Sequence, residues 1–179
     1  IVEGQGFVYN PGMPSLGTTT PFFTLLMATI SALSGRQDFQ WYAIIVSALA
    51  DAVTCVLLYL LARRLTGHDW LSAAPGLLWA ISPASVTFAV GGMETSVNIL
   101  WMVSATAAYV LLPESNSSSR INRRHILIGV LAGLGFFTRI DAAIWIGPLF
   151  LFQLVDLWRA GKGKTLLQRI PWQTWAAFV

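Results

Sequence analysis

Long stretches without charge are the feature that most constrains how this chain can fold. No charged residue occurs from Leu71 to Val90, and none occurs from Thr95 to Leu112. A helix of about 20 apolar residues is long enough to cross the hydrocarbon core of a membrane. Over the whole chain only 11% of residues are charged, whereas a soluble domain carries about 25%. The sequence therefore predicts an integral membrane protein, and its small net charge of +3 does not indicate a nucleic-acid partner.

The predicted fold class is all-α, a polytopic transmembrane helix bundle with about five complete spans and the start of a sixth. A further apolar stretch, Pro21–Ser34, is short for a span and is interpreted as an interfacial juxtamembrane helix. We assign residues 1–179 to part of one transmembrane domain, with an outer loop over 1–20 and transmembrane helices and short loops over 41–179. The candidate spans are Trp41–Ala62, Trp70–Val90, Thr95–Leu112, Ile126–Thr138, Ala142–Trp158 and a beginning at Trp172.

Breaks between apolar stretches show where one span ends and the next begins, and the charged residues indicate which side of the membrane each connection faces. The stretch from Ile126 to Trp158 would be about 50 Å long as one helix, too long for a single crossing, so the Arg139-Ile140-Asp141 break predicts a turn. Basic residues cluster at 63–64, 120–124 and 159–169. If those loops are cytoplasmic, the alternating connections at 36–40, 91–94 and 139–141 lie outside. An interfacial Pro21–Ser34 then places residues 1–20 on the same outer side.

The ends of the chain suggest part of a longer protein. The sequence begins Ile1-Val2-Glu3-Gly4 without methionine or a signal-peptide pattern, and it stops within an apolar stretch that starts near Trp172. We therefore expect further sequence before Ile1.

Three acidic positions and one arginine are the candidates for chemistry. Glu94 follows Gly91-Gly92 in a short outer connection. It is either an acid that stabilises the next helix N-terminus, with Thr95 or Ser96 as the cap, or a carboxylate aimed at an outer site. Asp51 lies deep in a predicted span, where an acid is costly and marks a functional candidate, although it could equally bond Ser or Thr of a neighbouring helix.

Arg139 and Asp141 stand two residues apart at another outer turn. One interpretation is an interfacial arginine in a local ion pair. The other is a cation that holds a lipid-linked phosphate, because the planar guanidinium bonds two phosphate oxygens at once.

Three segments, taken in order, resemble the GT-C class of polytopic glycosyltransferases. They are EGQGFVYNPGMPSLGTTTPFFTLL, FAVGGMETS and GLGFFTRIDAA. The first is similar to the first outer loop of that class, the second to the short outer loop between its third and fourth helices, and the third to its L-T-R-P-D-G element. Ile140 stands where proline is usual and Ala142 where glycine is usual, which puts the geometry of that turn in question.

The resemblance implies a membrane enzyme of the bacterial mannosyl- or arabinosyltransferase type. Its members take a sugar from a polyprenyl-phosphate donor and transfer it, with inversion, to a glycan, lipid or protein acceptor on the outer side of the plasma membrane. The main catalytic Asp is expected upstream of Ile1, together with the first transmembrane helix, so this fragment alone is expected to be inactive. Glu94 matches the second acidic position, which in some members helps to hold a divalent metal or the acceptor. Arg139 matches a position near the donor phosphate. Asn10 and Thr19 lie together in the first outer loop, and they and Asp141 are further candidates without an assigned role.

Two other functions remain open at this point. A transporter or flippase for a lipid-linked or small substrate would use Asp51 and the outer charges as a pathway, and broken helices in corresponding halves of the chain would favour it. A membrane scaffold without catalytic activity is the third interpretation.

Overall fold

The computed structural model describes residues 19–113, 123–160 and 172–179. Every regular element in these ranges is helical, so the all-α prediction is confirmed. The outer loop over 1–20, including Asn10, lies outside the described residues apart from Thr19 and Thr20. The elements are α1 (Pro21–Ser34), α2 (Phe39–Thr66), α3 (Asp69–Ala80), α4 (Pro83–Val90), α5 (Glu94–Leu111), α6 (Arg123–Thr138), a 3-10 turn (Ile140–Ala142), α7 (Ala143–Ala160) and α8 (Trp172–Phe178).

Proline and glycine set several of these boundaries. Pro21 is the first residue of α1, where its missing N–H costs nothing and its fixed φ suits a helix. Gly35 and Gly67 end α1 and α2 in the left-handed conformation, with φ of 66° and 69°, and their N–H groups bond the carbonyls of Ser31 and Arg63. The predicted short helix over Pro21–Ser34 is thus present with these bounds.

The uncharged stretch Trp70–Val90 is not one straight helix. It is divided into α3 and α4, whose axes are bent by 53° at the intervening break. Pro83 lacks an N–H and cannot continue the α3 hydrogen-bond ladder, and the Ser82 side chain instead accepts a bond from the Ser85 N–H at 3.1 Å. Ser82 therefore caps a new helix at the point where the hydropathy pattern shows no interruption.

The predicted count of about five complete spans is not confirmed. In the described ranges only α2, with 28 residues and a mean hydropathy of 2.3 in its most apolar stretch, is long and apolar enough to cross a membrane, and the bent pair α3–α4 would add a second if it forms one span. The helices α5 and α7 have 18 residues each and α6 has 16. At about 1.5 Å per residue they reach at most roughly the 30 Å of a hydrocarbon core.

The packing between helices uses small and polar side chains, whereas large apolar side chains point outward. This pattern is typical of helices that associate in a membrane, where small residues allow close approach and polar residues bond across the interface. The buried polar residues include Ser47, Asp51, Thr54, Ser72, Ser85, Ser96, Asn98, Thr138, Gln153 and Thr174. The outward-facing residues include Leu49, Trp70, Leu77, Leu78, Ile144, Leu151 and Phe152.

Two glycines of α6 make the close contact between α6 and α8. A Cβ added at Gly129 would overlap the backbone carbonyl of Thr174, and one at Gly133 would lie 3.0 Å from the Phe178 carbonyl oxygen. Gly135 instead faces Trp101 and Asn98 of α5.

The helices α5, α6 and α7 alternate in direction. Glu94 at the start of α5 bonds Arg139 after the end of α6. At the opposite end, Tyr109 bonds Asp156 of α7 through its hydroxyl, and Arg124 of α6 lies 4.9 Å over the Tyr109 ring. The two short connections at 91–94 and 139–141 therefore meet at one end of the bundle, away from the basic residues Arg123, Arg124 and Arg159.

Candidate active site

Glu94 and Arg139 form the ion pair at the centre of the candidate site. The Nη1 atom of Arg139 lies 2.9 Å from Oε1 of Glu94. The Nε atom of the same arginine donates to Asp141, at 3.0 Å from Oδ1 and 3.2 Å from Oδ2. One guanidinium group thus joins two carboxylates that are 47 positions apart in the sequence. Both alternatives for Arg139, a local ion pair and a cation placed at an outer site, are compatible with this arrangement.

Gly92 places Glu94 by allowing the chain to turn tightly against α2. Its φ is +61°, in the region that side chains with a Cβ disfavour. An added Cβ would lie 2.9 Å from the Ala43 Cβ and 3.2 Å from the Ile44 backbone nitrogen. The turn therefore needs glycine for its conformation and for its closeness to α2. Ser47 of α2 also donates to the Met93 carbonyl at 3.0 Å, which fixes the residue before Glu94.

The expected caps for α5 are wrong in detail. The helix begins at Glu94 itself, with Met93 in the N-cap position and no side-chain bond from that residue. Thr95 and Ser96 consequently lie inside the first turn rather than before it. Glu94 is the acid of this first turn, a position that the helix dipole favours, and it also reaches across to Arg139. Glu94 can therefore stabilise the N-terminus of α5 and take part in the site at the same time.

The turn after α6 has the predicted position, and the two departures from the family pattern fit it. Arg139 is extended, with φ −151° and ψ 133°, and a single 3-10 turn follows. Ala142 is 1% exposed and packs with Ala132 and Ile146, and no residue of this turn has a positive φ. Alanine therefore fills the position without strain, while Ile140, 72% exposed, points away from the core.

A cavity of about 230 Å³ opens on this cluster. Thr19, Thr20, Glu94, Arg139, Ile140 and Asp141 line it. The structure thus brings Thr19 together with three of the sequence-predicted site residues, from segments that are far apart in the chain. We call this space the site cavity.

The electrostatics of the site cavity are set by one cation between two acids. The hydrogen bond that Arg139 donates to Asp141 raises the pKa of the Arg139 guanidinium above its ordinary value; partial burial opposes this shift, and the charges of Asp141 and Glu94 reinforce it. Its side chain is 34% exposed. Within the described ranges the hydrogen bonds of this group use Nε and Nη1, and Nη2 has no partner there. Two N–H donors therefore remain for an anionic ligand.

Asp51 does not line the site cavity. It is 6% exposed and accepts hydrogen bonds from the Ser85 hydroxyl at 2.8 Å and from the Trp79 indole N–H at 3.4 Å. Of the two interpretations of this acid, the structure shows the bond to a serine of a neighbouring helix.

Two residues beside Glu94 were not singled out from the sequence. Asn98 and Trp101 follow it at helical spacing on α5. The Asn98 Oδ1 and Trp101 Nε1 atoms are buried and have no hydrogen-bond partner in the part of the chain that the structure describes, and the Trp101 ring packs edge-on against Phe22 of α1 at 5.6 Å. Their positions at i+4 and i+7 from Glu94 were the signal that could have identified them.

No group of three potential metal ligands occurs among residues 19–113, 123–160 and 172–179. Glu94 and Asp141 are already bonded to Arg139, whose positive charge offsets theirs. The described residues by themselves therefore do not make a divalent-metal site, and the metal stays a prediction that depends on acids outside these ranges. We derive no step through it.

Comparison with known proteins gives one match. No curated protein and no solved structure matches the chain. A family model described as dolichyl-phosphate-mannose-protein mannosyltransferase matches residues 18–179, which include every described residue of the site cavity. Proteins of this family are integral membrane glycosyltransferases that use polyprenyl-phosphate-linked sugar donors. Because the match extends over most of its length, the chain belongs to the dolichyl-phosphate-mannose-protein mannosyltransferase family.

Proposed function

We propose that this protein transfers a sugar of the mannose type, with inversion, from a polyprenyl-phosphate donor to an acceptor on the outer side of the membrane. The observation that carries the proposal is the Arg139 guanidinium, held between Glu94 and Asp141 in a cavity that Thr19 and Thr20 also line. Family membership favours this enzyme over a transporter or a scaffold. The bundle would cross the membrane about five times, with the site cavity outward and the basic end in the cytoplasm.

Arg139 would bind the donor phosphate. Transfer breaks the bond between the sugar and the phosphate oxygen, so negative charge grows on the leaving phosphate, and a fixed cation stabilises that charge. The two carboxylates hold Nε and Nη1, so the guanidinium at the cavity is already fixed, and binding of phosphate costs little further side-chain freedom. Their negative charges weaken the attraction for phosphate in the ground state. The leaving phosphate carries more negative charge in the transition state than in the bound donor, so the Arg139 cation stabilises it more strongly there.

Glu94 would act on the acceptor. Its Oε1 atom is bonded to Arg139, whereas Oε2 has no hydrogen-bond partner among the residues that the structure describes, and the side chain is 22% exposed. A carboxylate there can accept a hydrogen bond from the attacking hydroxyl and orient it. The base that removes the proton is the Asp expected upstream of Ile1. The acceptor is a glycan, a lipid or a protein.

The test is transfer of labelled mannose from polyprenyl-phosphate-mannose to endogenous acceptors in membranes that contain the complete protein. Glu94→Gln keeps an oxygen for Arg139 but loses the charge, and Arg139→Lys keeps the charge but loses the planar fork. Each should lower transfer roughly a hundredfold, as the removal of one preorganised electrostatic group does. Arg63→Ala, at the other end of the bundle, is the control and should transfer normally. Normal transfer by both site variants would overturn the proposal.

A further inference from the structure

We propose that Asp51 is a positioning residue that fixes the catalytic carboxylate Glu94 through α4, without touching substrate. The proposal rests on the proposed function in one respect, that Glu94 belongs to the reacting site. Asp51, a buried acid outside the site cavity, would thereby influence the rate of sugar transfer.

The first observation is where the two donors to Asp51 lie. Trp79 is in the last turn of α3, and Ser85 is in the first turn of α4. The 53° bend separates them, and each bonds a different oxygen of the Asp51 carboxyl group. A single side chain of α2 therefore holds both sides of the bend. Removal of its oxygens frees α4 to change its angle to α3.

The second observation is that the turn after α4 is also attached to α2. Ser47 lies one helical turn before Asp51, so both side chains point to the same side of α2. It bonds the Met93 carbonyl at 3.0 Å, immediately before Glu94. The first attachment is at Ser85 in the first turn of α4, the second is at Met93 just beyond its end, and the whole helix has only 8 residues. A helix this short moves as a unit, so a change of its angle is transmitted through the turn after it to Glu94.

An acid at this depth needs a reason, because burial of an ionisable side chain among apolar helices is costly. The geometry supplies one: two donors approach from two helices, and the two carboxyl oxygens receive one each. Asparagine could preserve both contacts, because its Oδ1 would accept from Trp79 and its Nδ2 would donate to the Ser85 hydroxyl, which also accepts. Leucine has a similar size and preserves neither contact.

The Asn and Leu variants of Asp51 therefore distinguish a positioning role from a role in proton transfer. A positioning role predicts activity loss in the Leu variant only, and proton transfer predicts loss in both. Transfer of labelled mannose from polyprenyl-phosphate-mannose is measured in membranes that contain the complete protein, with kcat and donor KM determined separately. Asp51→Leu should lower kcat roughly tenfold to a hundredfold, the range for a misplaced reacting group, with an unchanged donor KM. Asp51→Asn should transfer normally. Equal loss in the Asn and Leu variants would mean that the acid itself is needed, and would overturn the positioning role.

A double-mutant cycle tests whether Asp51 acts through Glu94. In a Glu94→Gln background, Asp51→Leu should lower the residual rate by less than about twofold, because effects that act through one group do not add. If the double variant loses the product of the two single-variant factors in kcat, the proposal is overturned. A normal kcat in the Asp51→Leu single variant would also overturn it. If Asp51→Leu does not yield folded protein by size-exclusion chromatography, Ser85→Ala replaces it, with a smaller kcat loss that must also vanish in the Glu94→Gln background.

The two proposals fail differently. Normal transfer by Glu94→Gln and Arg139→Lys would refute the proposed function. Reduced transfer by those variants together with normal transfer by Asp51→Leu would leave the function standing and refute only the positioning role.

Discussion

Substitution of Gly92 by alanine should destabilise the protein more than the same substitution at a glycine with equal backbone strain. Gly92 has φ +61°, and Gly35 has φ +66°. Both residues are therefore in the left-handed region, and alanine pays a similar conformational penalty of roughly 1–2 kcal/mol at each. Their surroundings differ. An added Cβ at Gly92 would lie 2.9 Å from the Ala43 Cβ, whereas one at Gly35 has no atom within 4 Å.

The magnitude follows from adding the two effects. Extra atoms in a packed interior cost roughly 1–3 kcal/mol, so Gly92→Ala should lose about 2–5 kcal/mol in total, against about 1–2 kcal/mol for Gly35→Ala. The neighbours at Gly92 are the Ala43 methyl group and the Ile44 backbone, and neither can move as the end of a long side chain can. Relief of the contact requires α2 and α5 to separate, which would also displace Glu94.

The assay is thermal unfolding of the purified protein in one detergent, with sugar transfer measured beside it. Gly92→Ala should show the lower midpoint and reduced transfer, and Gly35→Ala should show a smaller shift with transfer retained. Equal shifts of the midpoint in the two variants would refute the close approach of Gly92 to α2. Reduced stability with normal transfer would refute the link between this turn and Glu94.

Three further predictions concern packing, topology and surface charge. Gly129→Ala should destabilise the contact between α6 and α8 by more than about 1 kcal/mol, whereas Gly147→Ala, with no atom within 4 Å of its added Cβ, should be neutral or stabilising in the same unfolding assay. A membrane-impermeant maleimide should label Ile140→Cys from outside and Leu65→Cys only from the cytoplasm, and labelling of both from one side would contradict the proposed topology. Arg63→Ala breaks an exposed ion pair and should change stability by less than about 1 kcal/mol.

Much of the helix layout was available from the sequence, because it depends on local properties. The bounds of α1 follow from a proline that can begin a helix and a glycine that can end one. The break at 139–141 follows from the limited length of a membrane-crossing helix, and the structure places a turn there. The break within Trp70–Val90 was not predicted from the sequence. Ser82 and Pro83 carry no charge, so the hydropathy pattern does not show where the chain bends.

Three residues of the candidate site could be predicted from the sequence to lie near one another, whereas their contacts could not. The residues Glu94, Arg139 and Asp141 could be gathered at one end of the bundle from the alternation of charged connections. Their bonding could not be derived, since Glu94 and Arg139 are 45 positions apart and their meeting depends on how α5 and α6 are rotated about their axes.

The sequence by itself therefore determined that the chain is helical, where most helices begin and end, and which polar residues share an end of the bundle. Hydropathy, proline and glycine act within a few residues and are visible without the fold. Only the tertiary structure decided that Arg139 lies between two carboxylates, that Gly92 touches α2, and that Asp51 holds both sides of a bend. Each of these contacts joins distant segments, and its geometry is set by the packing of whole helices rather than by any local pattern.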